Sequence, residues 1–166
     1  MNEPEFYSLL LKVSKTISKP PELVLASSSQ YRRALLDMLL IPFRVVTPDI
    51  DELPRQDEEA TRLVERLANE KAQVVGQQET SALIIGSDQV AVYAGQIIGK
   101  PTDRKEAISQ LELISNGTAE VLTSVTVLNT LTGHTQVQTV STLIQFKALS
   151  RPVIELYLDA DTVSYT

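Results

Sequence analysis

At 166 residues, with 43% hydrophobic and 22% charged side chains, the chain is sized and composed for one globular domain with a sizeable core. Its net charge of −6 argues against a sequence-independent grip on nucleic acid or an anionic membrane, so a polyanionic ligand would need locally clustered Lys and Arg. The absence of cysteine excludes a disulfide framework, a thiolate zinc site and a cysteine nucleophile, and agrees with a cytoplasmic location.

The start "MNEPEF" is acidic, the reverse of a signal peptide, and the apolar run at 9–11 with Val13 is far too short to span a bilayer. Residues 1–20 are therefore read as an extension ahead of a domain over 21–166. "ELVLA" (22–26) is a short continuous apolar run of strand type, closed by Ser27, Ser28 and Ser29. A helix is predicted from about Gln30, with Ala34, Leu35, Met38 and Leu39 on its buried side. "FRVVTPDID" (43–51) predicts a second strand, terminated by Pro48 and an acidic loop. Asp57 is placed to cap a long helix through about Gln77. "SALIIG" (81–86) predicts a third, buried strand with Asp88 at its carboxyl end, and "VAVYAGQIIG" (90–99) a hairpin turning at Ala94-Gly95. Asp103 and Glu106 have cap-box spacing for a helix that turns Ala107, Ile108, Leu111 and Ile114 inward and stops at Asn116-Gly117. Two β-rich stretches, 121–129 and 135–146, flank the turn "TLTGH", and Ser150 can cap a final helix whose first turn tolerates Pro152. This order of elements predicts one α/β domain with a mixed sheet.

Several stretches could carry chemistry. "SSSQYRR" (27–33) lies between a strand and a helix, where free backbone N–H groups and the helix dipole attract phosphate and where Arg32 and Arg33 could fork onto phosphoryl oxygens. The structural alternative is that Ser29 caps the helix and Arg33 pairs with Asp37. Asp88, in "GSDQV", could hold a cation or orient a water, or simply bond its own turn. Lys71 falls on the apolar stripe of Ala60, Leu63, Val64, Leu67, Ala68 and Val75, so it must snorkel to solvent or meet an anion. "PDIDE" (48–52) is a carboxylate cluster whose Glu52 could join Asp88 around a cation, and Lys100 follows a hairpin strand in "IIGKP". His134, the one histidine, reads as an exposed turn residue rather than a base. There is no Walker motif and no GxGxxG.

Taken in order, "LVLASSSQYRRALLDML", "PDIDE", "LANEKA", "IIGSDQV" and "GKP" resemble the Maf family of nucleotide pyrophosphatases, nearest to its 7-methyl-GTP pyrophosphatase branch. The resemblance extends from about Glu22 to the C-terminus and is dense through Pro101. It implies a single α/β domain of Maf or ITPase-like kind, with a mixed, curved central sheet flanked by helices. It also implies hydrolysis of a nucleoside triphosphate to the monophosphate and pyrophosphate with a divalent cation, Mg2+ or Mn2+. By resemblance Asp88 matches the general base, Ser27, Ser29, Arg32 and Arg33 the phosphate loop, and Glu52, Lys71 and Lys100 further active-site positions. Asp88 and Glu52 would hold the cation, while Tyr31 and Gln89 match positions tied to choice of base. Tyr31 could stack on a cationic methylated guanine.

The sequence departs from the family pattern in "NGTAEVLTS", with Glu120 and Ser124 where a small-residue and His pattern ahead of a threonine and glycine is usual, and in ending at "YLDADTVSYT". The resemblance implies a further segment there, rich in Gly, Ser and Phe, with a Glu implicated in base recognition. Its lack predicts lower stability, more self-association and weak turnover. The expected partners are a nucleotide substrate and, optionally, a second copy in a homodimer, with no nucleic acid and no membrane. The alternatives are a dTTP/UTP pyrophosphatase, a nucleotide-binding remnant without turnover, and a phosphosugar-binding domain; the last leaves Asp88, Lys71 and Lys100 unexplained.

Overall fold

In the computed structural model, which describes residues 21–160, the apolar run Glu22–Ala26 forms strand β1. The extension expected over 1–20 lies outside the described residues. Helix α1 (Gln30–Asp37) follows the serines, and β2 (Arg44–Val46) returns parallel to β1. Helix α2 (Ala60–Gly76) leads to the long strand β3 (Ala82–Tyr93), which pairs parallel with β1 and then folds back on β4 (Gln96–Ile98). The turn between β3 and β4 has positive φ at both Ala94 (50°) and Gly95 (80°), the pattern of a two-residue type I′ hairpin. Helix α3 (Arg104–Ile114), the antiparallel strands β5 (Thr118–Asn129) and β6 (Thr135–Gln145), and helix α4 (Arg151–Ala160) complete the order. The strands make one mixed six-stranded sheet ordered β2-β1-β3-β5-β6, with β4 beside β3. Among the described residues no helix is long and apolar enough to cross a membrane.

The sheet's core face is built by strand alternation and helix periodicity meeting each other. Val24 and Ala26 of β1, Ala82 and Ile84 of β3 and Leu128 of β5 pack against Ala72 and Val75 of α2. The second cluster, Ala107, Ile108, Ile154 and Leu158, joins α3 to α4, with Leu111 and Leu149 packed against it. At Gly86 the helix approaches the strand so closely that a side chain there would collide with the Ala68 carbonyl oxygen and stand 2.8 Å from the Ala72 nitrogen. That close approach brings the turn of α2 that carries Lys71, between Ala68 and Ala72, down onto the strand where Asp88 sits.

Several sequence expectations change on contact with the fold. Ala34, Leu35, Met38 and Leu39 are exposed rather than buried, because no described element packs over that side of α1. The second strand keeps only the three residues that find partners on the five-residue β1. Asp57 does not cap α2: it takes a positive φ of 55° in the preceding turn, and Glu59 stands at the N-cap without a side-chain cap bond. Asp88 is not at a strand end, since pairing with β5 carries β3 on to Val92 and the hairpin to Tyr93. Asp103 does cap α3 by accepting from the Glu106 N–H at 2.8 Å, while Glu106 turns to Thr102 instead of closing the box.

Replacing Gly86 by Ala should lower unfolding stability by about 1–3 kcal/mol, the usual cost of overpacking. The same change at Gly99, where nothing lies within 4 Å of an added methyl, should leave stability nearly unchanged. Urea unfolding of both variants measures the difference.

Candidate active site

Position 26 of β1 pairs with Gly86, and the β3–β4 hairpin pairing begins at Ala91, so on that edge 87–90 of β3 lie between two neighbouring strands. A crevice beyond the carboxyl end of a parallel strand is where open α/β sheets hold ligands. Asp88 stands in this interval on the same face as Gly86 and Ile84, under α2. Lys71, on the buried stripe of α2, reaches it: Nζ donates to Asp88 Oδ1 at 2.7 Å and to Glu52 Oε1 at 2.7 Å. Its side chain is only 6% exposed, so the snorkelling alternative is overturned.

Glu52 gathers the remaining charges. Burial by itself raises its pKa, but the Lys71 hydrogen bond and the fields of Lys71, Lys100 and Arg32 outweigh that and hold the carboxyl below its ordinary value. Five separate stretches, carrying Arg32, Glu52, Lys71, Asp88 and Lys100, are thus linked: Lys71 pairs with Asp88 and Glu52, and Arg32 and Lys100 act on Glu52 through their charge. In a chain of net charge −6, the candidate set holds four cations, counting Arg33, against two carboxylates.

The serine junction is ordered by its own hydrogen bonds. Ser29 Oγ accepts from the Arg32 N–H at 3.3 Å and caps α1. Buried Ser27 accepts from the Ser29 N–H at 3.1 Å and lies 3.5 Å from Arg32 Nη1. The cap of the structural alternative thus forms, but no ion pair joins Arg33 to Asp37, and Arg33 is exposed. Tyr31 is 85% exposed. Gln89 donates to Thr123 Oγ1 at 2.7 Å and, by strand alternation, faces away from Asp88. Neither hydrogen-bonds to the Lys71 cluster.

Ser124 pairs in register with Asp88 and is fully buried; Thr139 Oγ1 lies 3.2 Å from it and donates to Glu65 at 3.0 Å. Among the described residues no third His, Asp or Glu joins Glu52 and Asp88 in a group able to hold a metal ion alone. Each carboxylate gives one oxygen to Lys71 and has no side-chain partner on the other. Mg2+ commonly takes one or two carboxylates and fills its shell with substrate phosphates and water. The pair fits a cation that arrives with a phosphorylated substrate.

Sequence reasoning missed Arg66. Its guanidinium takes Glu58 bidentately at 2.7 and 2.8 Å, Glu70 at 3.0 Å and the Leu53 carbonyl at 3.1 Å. The Arg66–Glu70 spacing of i,i+4 was the one local signal; the other partners lie eight and thirteen residues upstream.

Two outcomes test this electrostatic frame. Lys71→Met leaves Asp88 buried without its counter-ion and should cost roughly 3–5 kcal/mol in urea unfolding. Lys71→Met with Asp88→Asn should recover most of that loss, because the charge left without Lys71 is then only that of the half-exposed Glu52. The Glu58 carboxyl is held at about 2, first by the Arg66 hydrogen bond and then by the Arg55 backbone N–H. A depressed carboxyl stabilises the fold fully above its unfolded value of 4.5, and the gain is lost as pH falls towards about 2. Unfolding measured across that window should show a shallower acid decline for Glu58→Gln than for the native chain.

Comparison with known proteins bears on the family and the fold. The family model described as "Maf-like protein" matches residues 22–165. A protein of Alcanivorax borkumensis named 7-methyl-GTP pyrophosphatase is 48% identical over 141 residues, covering 85% of this chain and 72% of that protein. Proteins with the same name from Nitrosococcus oceani and Pseudomonas savastanoi pv. phaseolicola are 45% and 48% identical; the matches cover 86% and 85% of this chain, and 71% and 73% of theirs. The solved structure of the Staphylococcus aureus Ham1 protein superposes with a TM-score of 0.53 at 16% identity, covering 75% of this chain and 71% of its own, and shares the fold. The chain belongs to the Maf-like protein family.

Proposed function

We propose that the chain is a nucleoside triphosphate pyrophosphatase that hydrolyses 7-methyl-GTP to 7-methyl-GMP and pyrophosphate. The observation that carries this reading is the buried Lys71 ammonium shared by Asp88 and Glu52, with Arg32 and Lys100 acting on the same Glu52. The name of the relatives supplies the substrate.

In this mechanism the triphosphate lies along the cationic side of the crevice. Arg32 and Arg33 bind phosphoryl oxygens beside the free N–H groups of the α1 terminus, and Lys100 joins from the β4 side. Lys71 holds Asp88 by one oxygen and leaves the other to accept a hydrogen bond from water. As the water oxygen bonds to phosphorus and the bridging P–O bond breaks, Asp88 takes the water proton and later releases it to solvent. The cationic side chains stabilise the charge that accumulates on the pyrophosphate leaving group. A divalent cation held by Glu52 and Asp88 would supply further neutralisation of phosphate charge. Tyr31, next to the serine loop, is assigned to stacking on the cationic methylated base, whereas Gln89, bonded to Thr123 on the other face of β3, is given no contact with it.

Asp88→Asn keeps the shape and an acceptor for Lys71 but cannot take a proton. Its kcat should fall about 10²–10⁴-fold, with much less change in nucleotide affinity. Pyrophosphate release with magnesium, measured over 7-methyl-GTP, GTP, dTTP and UTP beside calorimetric binding, checks both points. A loss under about tenfold would remove Asp88 as the base, and preferential turnover of dTTP or UTP would replace the proposed substrate.

A further inference from the structure

Glu52 is the least secured member of the site. Residues 47–59 form neither helix nor strand, and the Glu52 side chain is 56% exposed, with Lys71 as its hydrogen-bonding partner. Something else must fix the backbone that presents it, since one ion pair to a half-exposed carboxylate is weak restraint.

The adjoining backbone supplies the answer. Arg66 Nη2 donates to the carbonyl of Leu53, the residue directly after Glu52, at 3.1 Å. The same guanidinium holds Glu58 through two bonds at 2.7 and 2.8 Å. Glu58 in turn accepts from the Arg55 N–H at 2.9 Å, and Asp51 accepts from the Leu53 N–H at 3.0 Å. One side chain therefore grips the segment at both Leu53 and Glu58. Glu70 completes the guanidinium's contacts at 3.0 Å, and Arg55 reaches Glu70 as well, also at 3.0 Å. Arg66 is 13% exposed, and Nε, Nη1 and Nη2 are all engaged by the protein, which leaves it little to offer a phosphate. It lies five residues before Lys71 on α2, a rise of about 7.5 Å. The helix thus holds the Leu53 carbonyl with one turn and the Glu52 carboxylate with the next.

We propose that Arg66 is a positioning residue for the pyrophosphatase reaction, which fixes Glu52 against Lys71 by clamping the segment from Leu53 to Glu58 onto α2. This inference rests on the proposed function and adds to it a residue outside the phosphate-binding set.

The test is a double-mutant cycle on the full chain, reading kcat and KM for 7-methyl-GTP with magnesium, plus amide hydrogen exchange. Arg66→Lys keeps the charge but cannot fork onto Glu58 while holding the Leu53 carbonyl. It should lower kcat/KM about ten- to a hundredfold, the scale of a small misplacement of a catalytic group. It should divide that loss between kcat and KM as Glu52→Gln does, and add little in the Arg66→Lys/Glu52→Gln double variant. Exchange should quicken at 53–58 and stay slow in β3 and β5. Glu58→Gln, which weakens the clamp more gently, should give a smaller loss of the same character and serves if Arg66→Lys folds poorly. Independent, additive losses from Arg66 and Glu52, or unchanged kinetics in both clamp variants despite quickened exchange, would overturn the clamp while leaving the pyrophosphatase reading intact. A Glu52→Gln variant with native kinetics would remove Glu52 from the site and overturn the clamp, whereas no pyrophosphate release by the native chain would overturn the pyrophosphatase reading.

Discussion

The site is organised around an ammonium group taken out of water. Lys71 is surrounded by the apolar stripe of α2, and a lone charge there would cost several kcal/mol. Two carboxylates at 2.7 Å remove that penalty, one from the sheet and one from the loop before the helix. Helix, strand and loop are thereby tied at a single point. The Lys71 pair neutralises the charge, while the loop that carries Glu52 is held chiefly by the Arg66 bonds to the Leu53 carbonyl and Glu58.

The sheet makes room for this cluster by changing neighbours along one edge of β3. Strand β1 ends at Ala26, β4 begins to pair at Ala91, and the polar residues Ser87, Asp88 and Gln89 fall between. A strand interior is a costly place for an aspartate unless it has a partner. Here the partner comes from above, because Gly86 lets α2 settle onto the strand one step before Asp88. The serine junction opens at the same level of the sheet, Ser27 following the residue paired with Gly86. The proposed phosphate-binding groups and the proposed base thus share one end of the crevice by construction of the strand register.

Much of this was legible in the chain. The buried runs at 22–26 and 82–86, the Ala94-Gly95 turn and the Asp103 cap are local patterns, and local patterns survive folding. Lys71 was recognisable as a charge on an apolar stripe, but its partner depended on an approach that periodicity does not encode. The exposed face of α1 shows the same limit: spacing marks Leu35 and Met38 as one side of a helix without saying what covers it. Asp88 looked like a strand end because polar residues follow Gly86, whereas β5 continues the pairing past them. Arg66 was invisible since its contacts reach a side chain eight residues back and a backbone carbonyl thirteen back. Helical spacing rules see three or four residues.

The central claim is that this cluster directs water onto the phosphate chain so that pyrophosphate leaves as one unit. Phosphorus NMR of 7-methyl-GTP during turnover by the chain with magnesium reads the products directly. The account predicts 7-methyl-GMP and pyrophosphate appearing in equal amounts, with no orthophosphate. Release of orthophosphate with 7-methyl-GDP would place the cleavage at the terminal bond and contradict it.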